Sequence, residues 1–273
     1  MAEHYLDNAA TTQVLPEAAE RARVLMVEEF GNPSSLHTRG FLAKQELEAA
    51  RTAVAAKLGV GAGEMVFTSG GTEGNNLAIF GAAQARRRLG DKIVTTAIEH
   101  DSVLKAMGEL ERQGFRVSYV KPDSRGRVGL EALAAEIDEK TILASVMAVN
   151  NETGAVLPVQ GLSRIIKRKN APALLHCDGV QAFGKLELSP GKWGVDLCAV
   201  SAHKIHGPKG VGALFVRKGV HLLPRSFGGG QERGLRPGTE SLPLIGAFGE
   251  AAKRLPKASA ALPQVEALRD SLV

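Results

Sequence analysis

Hydrophobic positions along the chain fall into two interleaved patterns. Short apolar runs rich in β-branched residues occupy 65–69, 92–97, 115–120, 142–149, 173–177, 196–201 and 211–216, each of strand length. Between them, 72–89, 102–113, 130–137 and 159–169 carry apolar residues at helical spacing. Such alternation requires crossover connections, which predicts an α/β fold: a mainly parallel (mixed) sheet flanked by helices. Two more helical patterns, 16–29 and 41–58, precede the first strand and are separated by the turn-rich run Gly31, Asn32, Pro33, Ser34 and Ser35. At the far end, 255–263 reads as a linker, and 264–273 begins an amphipathic helix that stops without a capping signal.

Composition changes this picture little. The 273 residues are 44% hydrophobic and 23% charged, ordinary values for a globular protein with a sizeable core. The net charge is +5, but the densest basic runs, Arg86–Arg88 and Lys167–Lys169, close helical patterns, where cations favour the helix terminus. With aromatic residues at 4% and none interleaved with those runs, no nucleic-acid partner is expected. No apolar run is long enough for a membrane span, and no basic region followed by an apolar stretch opens the chain, so a cytoplasmic location is expected. Cys177 and Cys198 are the two cysteines; both lie inside strand-like runs, which fits a reducing compartment.

Parallel sheets bind ligands beyond the carboxyl ends of their strands, and there the candidate chemistry collects. After the first strand, Ser69, Gly70, Gly71 and Thr72 lead straight into a helix, a glycine-freed cradle for a phosphate. It is neither a P-loop nor a dinucleotide fingerprint. Glu99 and His100 follow the second strand, and Asn150 and Asn151 follow the fourth, where Asn151 offers an amide to a ring substituent. Asp178 ends the fifth; it suits a pyridinium nitrogen, although a helix N-cap is an equally good explanation of it alone. Ser201, His203 and Lys204 follow the sixth, placing an imine-forming lysine beside two phosphate ligands. Together these strand ends carry what a phosphorylated pyridine aldehyde, pyridoxal phosphate (PLP), requires.

Eight ordered segments then resemble the cysteine desulfurases of the NifS/IscS type, within the class V aminotransferase group of fold-type I PLP enzymes. They are Asp7 to Thr12, Asn32 to His37, Ser69 to Asn75, Glu99-His100, Asn150 to Gly154, His176 to Gln181, Ser201 to Gly210 and Gly228 to Thr239. The resemblance implies that Lys204 bears the cofactor and moves the substrate Cα proton. Asp178 pairs with the ring nitrogen, His100 stacks on the ring, and Gln181 and Asn151 lie near the ring oxygen. Gly71, Thr72, Ser201 and His203 hold the phosphate. The implied assembly is a homodimer in which Thr239 reaches the phosphate in the neighbouring subunit's site. The implied reaction takes L-cysteine to L-alanine and passes sulfur to an enzyme cysteine as a persulfide, for iron–sulfur cluster or thio-compound synthesis with a scaffold or sulfur-acceptor protein.

On this basis 1–13 is expected to be an N-terminal segment near the active site, 14–254 the PLP-binding large domain, and 255–273 a linker and the start of an incomplete C-terminal small domain. The family's sulfur-accepting cysteine and carboxylate-binding arginine lie beyond Arg236 to Thr239, later than Val273, so activity of the chain as it stands is doubtful. Cys177 and Cys198 both read as buried packing residues. The alternatives are another class V enzyme, such as a selenocysteine or sulfinate lyase, or a noncatalytic scaffold. A zinc site from His100, Cys177, His203 and His206 is disfavoured by the neighbouring cation of Lys204.

Overall fold

The structure, a computed structural model, describes residues 4–256 and 258–272. Seven strands form one sheet: β1 (Met65–Thr68), β2 (Lys92–Thr96), β3 (Arg116–Val120), β4 (Thr141–Ser145), β5 (Leu174–Asp178), β6 (Leu197–Ser201) and β7 (Gly212–Val216). Their order across the sheet is β1-β7-β6-β5-β4-β2-β3. Strand β7 runs antiparallel to both neighbours and every other pairing is parallel, so the sheet is mixed and mainly parallel, as the alternating pattern implies.

Side chains along the strands alternate between two cores, which is why the strands read as continuous apolar runs and not as half-polar ones. Val66, Ile93, Leu174, Leu197, Ala199 and Leu214 pack beneath α3 (Gly71–Arg86) and α4 (Asp101–Arg112). Phe67, Val94, Leu175, Cys177, Cys198 and Phe215 face the opposite layer. That layer holds α1 (Pro16–Val27), α2 (Thr38–Leu58), α5 (Leu130–Glu136), α6 (Val159–Arg168), the single turn α7 (Pro190–Trp193) and α8 (Leu242–Arg254). Helices α1 and α2 both pack on α8, which sequence patterning did not single out. Its signal was there: a proline in the first turn, then Leu242, Ile245, Phe248 and Ala252 on one buried face.

Several boundaries differ from expectation. The run 142–149 yields a strand only to Ser145; beyond it Val149 bridges antiparallel to Val156, because the turn organised by Asn150 folds the chain back. Helix α2 starts at Thr38, capped by His37, whose Nδ1 accepts from the Gly40 amide at 3.3 Å. The expected linker 255–263 is helical from Ala258, since α9 (Ala258–Leu272) includes Pro263. Within the segments 1–13 and 255–273, residues 1–3, Lys257 and Val273 lie outside the described residues. Among the described residues no helix is long and apolar enough to cross a membrane.

Candidate functional site

The carboxyl ends of β1, β2, β4, β5 and β6 open on one cavity of about 490 Å³. Every residue singled out for the cofactor except Thr239 lines it; Thr239 is exposed and stands outside.

At the end of β1, α3 begins on Gly70 with no side chain capping it, so the first-turn amides keep their capacity for an anion. The Glu73 side chain turns away, accepting from the Ser69 amide at 2.5 Å and from Arg236 Nε at 3.1 Å. Gly71 is packed closely: a Cβ there would sit 2.6 Å from Cγ2 of Val180, the residue that follows the β5 end. Glycine therefore lets the helix start approach the β5 loop.

At the end of β2, Glu99 turns inward and His100 turns outward. Glu99 Oε1 accepts from Thr96 Oγ1 at 2.7 Å and from the Met147 amide at 3.0 Å, tying β2 to β4. Its Oε2 is buried without a partner, and burial pushes the carboxyl up to about 8, so it is protonated at neutral pH. His100 caps α4: its Nδ1 accepts from the Ser102 amide at 3.1 Å and lies 2.8 Å from Ser102 Oγ.

Asp178, at the end of β5, is buried. Oδ1 accepts from the Val180 amide at 3.0 Å and Oδ2 from Asn75 Nδ2 at 2.7 Å. No helix follows, so the N-cap explanation gives way to an Asx turn, with lone pairs to spare toward the cavity. Burial raises its pKa, against the hydrogen bonds from Val180 and Asn75 and the nearby charge of Lys204. Two strand residues earlier, His176 is held neutral: burial lowers it to about 3, and Nδ1 meets Ser145 Oγ at 2.8 Å.

Past β6 the chain makes a single 3₁₀ turn, Ala202–Lys204, that brings Ser201, His203 and Lys204 to the cavity. Burial lowers the Lys204 pKa, with Asp7 and Asp178 opposing it. Its Nζ donates to Ala10 O at 2.8 Å and also to Ala9 O. Ala9 O accepts from Gln181 Nε2 as well, at 2.9 Å. Thr12 bonds the carbonyl of His203 through its amide and its hydroxyl, both at 2.9 Å. The N-terminal segment is thus a strap across the lysine turn.

Asn75, Ser102, Glu99 and the strap carbonyls were not assigned roles from sequence. Asn75 could have been found, being an amide on the face of α3 that otherwise buries Ala78, Ile79 and Ala82; backbone carbonyls leave no trace in residue type. The four residues of the zinc alternative do not converge: Cys177 is buried on the far face of the sheet, whereas His206 is exposed. Among the described residues no three His, Cys, Asp or Glu side chains group as metal ligands.

A family model described as aminotransferase class-V matches residues 4–271. The chain is 44% identical over 249 residues to "Cysteine desulfurase IscS 1" of Archaeoglobus fulgidus, an alignment covering 91% of this chain and 64% of that protein. It is 43% identical to a "Cysteine desulfurase" of Nostoc sp., over 98% of this chain and 66% of the relative. The chain thus spans about two thirds of the length of these relatives. Among solved structures, a "NIFS-like protein" superposes with a TM-score of 0.96 at 44% identity, covering 99% of this chain and 74% of that one. A structure described as "SspA in complex with cysteine" superposes at 0.90 with 36% identity, over 98% and 78% of the two chains. Strand order, the lysine turn beyond β6 and the extent of these matches lead to one assignment, that the chain belongs to the aminotransferase class-V family, with the NifS/IscS-type cysteine desulfurases among its relatives.

Proposed function

We propose that this chain is the cofactor-binding part of a PLP-dependent cysteine desulfurase, acting on L-cysteine to give L-alanine and sulfur held as a persulfide. The single observation that carries this is the convergence of Lys204, Asp178 and the uncapped start of α3 on one cavity. PLP fits what is present. A buried carboxylate that desolvation leaves in want of a charged partner suits a pyridinium N–H, the open amides beside Gly71 suit a phosphate, and a lysine with lowered pKa suits an aldehyde. When bound, PLP supplies an electron sink for negative charge at the substrate Cα.

The chain's own residues then divide the work. Lys204 is the attachment amine and, once freed, the base that moves the Cα proton; the strap carbonyls of Ala9 and Ala10 hold it until the cofactor arrives. Asp178 keeps the ring nitrogen protonated, His100 covers the ring face, and Asn151 and Gln181 address the ring oxygen. Gly71, Thr72, Ser201 and His203 bind the phosphate. Thr239, exposed and away from its own cavity, serves the partner's site in a homodimer. Residues 14–254 form the cofactor-binding domain, in a protein of the cytoplasm that hands sulfur to an iron–sulfur scaffold or another acceptor protein. Neither Cys177 nor Cys198 takes the sulfur, because both are buried in β5 and β6, and the hydrogen bond to Cys198, with burial, raises the Cys177 thiol. The test is to add PLP to the purified chain. A near-visible absorbance band that stays with the protein after free PLP is removed and decays on addition of cysteine supports the proposal; no protein-bound band at any PLP concentration sinks it.

A further inference from the structure

Asn75 sits one turn into α3 with only 1% of its surface exposed, and its two amide hydrogens go to two different groups of the cavity wall. One goes to Asp178 Oδ2 at 2.7 Å, the other to Ser102 Oγ at 2.9 Å. The amide cannot be reversed, because that would set its oxygen against the carboxylate. Since the Ser102 hydroxyl accepts from Asn75, its own hydrogen is free for His100 Nδ1, 2.8 Å away. That nitrogen also accepts the Ser102 amide at 3.1 Å, so it is a bare acceptor and the ring proton belongs on Nε2. The amide oxygen of Asn75 is buried with no partner, so its desolvation is uncompensated. An apolar side chain would avoid that cost, so packing alone does not account for an amide here.

We propose that Asn75 is a positioning residue: one side chain orients the Asp178 carboxylate and, through Ser102, the His100 ring. Its bearing on catalysis rests on the proposal that these two groups flank the PLP ring, one at the nitrogen and one at the face. The arrangement makes the ring-nitrogen partner and the ring-face partner depend on a common donor, with Ser102 as a branch that can be cut separately.

The branch gives the experiment. In the PLP-free protein, ¹⁵N spectra of the His100 ring should show a protonated Nε2 and a bare Nδ1. Ser102→Ala should shift the Nδ1 resonance and leave the Asp178 carboxyl ¹³C resonance in place, whereas Asn75→Leu should shift both. In PLP-loaded protein, Asn75→Leu should displace the pH midpoint of the cofactor band. A wild-type ring protonated on Nδ1, or an Asn75→Leu protein with both resonances and the midpoint unmoved, overturns the role. Should Asn75→Leu fail to fold, the wild-type ring and Ser102→Ala still decide. Failure of PLP to bind would sink the cofactor proposal and leave the resonance pattern to judge Asn75 on its own.

Discussion

The buried titratable groups under the cavity set how single residues respond to pH. Glu99 is held protonated up to about 8, whereas the unfolded chain releases that proton near 4.5. Its contribution therefore favours folding fully below about pH 4.5 and is lost as pH climbs through about 8. His176 works in the other sense: kept neutral down to about 3 against an ordinary 6.5, it supports the fold above about pH 6.5 and withdraws that support as the solution turns acid. Glu99→Gln should keep the acceptor for Thr96 and Met147 and flatten the fall in stability between about pH 5 and 8. Glu99→Ala, which orphans both donors, should cost about 1–3 kcal/mol at neutral pH. Urea melts across that pH range check both; a Gln variant as steep as wild type would mean that Glu99 is ionised. These environments are illegible in sequence, where Glu99 and His176 look like any other carboxylate and imidazole, because burial is a property of the packed sheet. The strand-end positions of Asp178, Ser201 and Lys204 were legible, since each follows directly on an apolar run.

Among the elements, the start of α3 is the most constrained. Glycine at 71 is required by the 2.6 Å approach of Val180 and not by backbone conformation, so a methyl group there must push the helix start away from the β5 loop. Gly71→Ala should cost about 1–3 kcal/mol of stability and weaken PLP binding about tenfold, equivalent to about 1.4 kcal/mol. Adding Val180→Ala should restore much of both; thermal melts and a PLP titration read them, and a single variant that binds normally would refute the close-approach account. The same contrast explains which elements patterning found. The strands other than β3, which lies at the sheet edge and is largely half-exposed, announce themselves because both faces are buried, and α4 and α6 because one face is. Helix α8, packed against α1 and α2, carries its signal in Leu242, Ile245, Phe248 and Ala252, but the small buried residues Gly246, Ala247, Gly249 and Ala251 between them blur the contrast between its faces. The shortened β4 reflects Asn150, whose Oδ1 accepts from the Glu152 and Thr153 amides at 3.0 and 2.8 Å and turns the chain where apolar content alone would continue it.

At the scale of the molecule, residues far apart in sequence close the site. The loop before Thr239 is pinned by Glu232, whose carboxylate takes both Arg51 nitrogens at 2.8 Å and the Phe67 amide at 2.9 Å, with both side chains nearly inaccessible. Glu232 and Arg233 hold positive φ angles of 45° and 59°, so the ion pair also maintains an unfavourable backbone. Arg51→Met alone should destabilise by about 3–5 kcal/mol, while Arg51→Met with Glu232→Leu should recover part of the loss. Additive effects in chemical denaturation would show that the two do not act as a pair. The strap is the other long-range closure, joining Ala9 and Ala10 to Lys204 across 195 and 194 residues of chain, and no sequence pattern could foretell it because backbone carbonyls do the bonding. Everything proposed for this protein depends on Lys204 being the lysine that takes the cofactor. Borohydride reduction of the PLP-treated chain followed by peptide mass mapping tests that directly: the label should fall on Lys204 and vanish in Lys204→Ala, a variant that loses the two strap hydrogen bonds but still unfolds cooperatively. A label on Lys185, Lys209 or any other lysine, or one that persists in Lys204→Ala, would contradict the account.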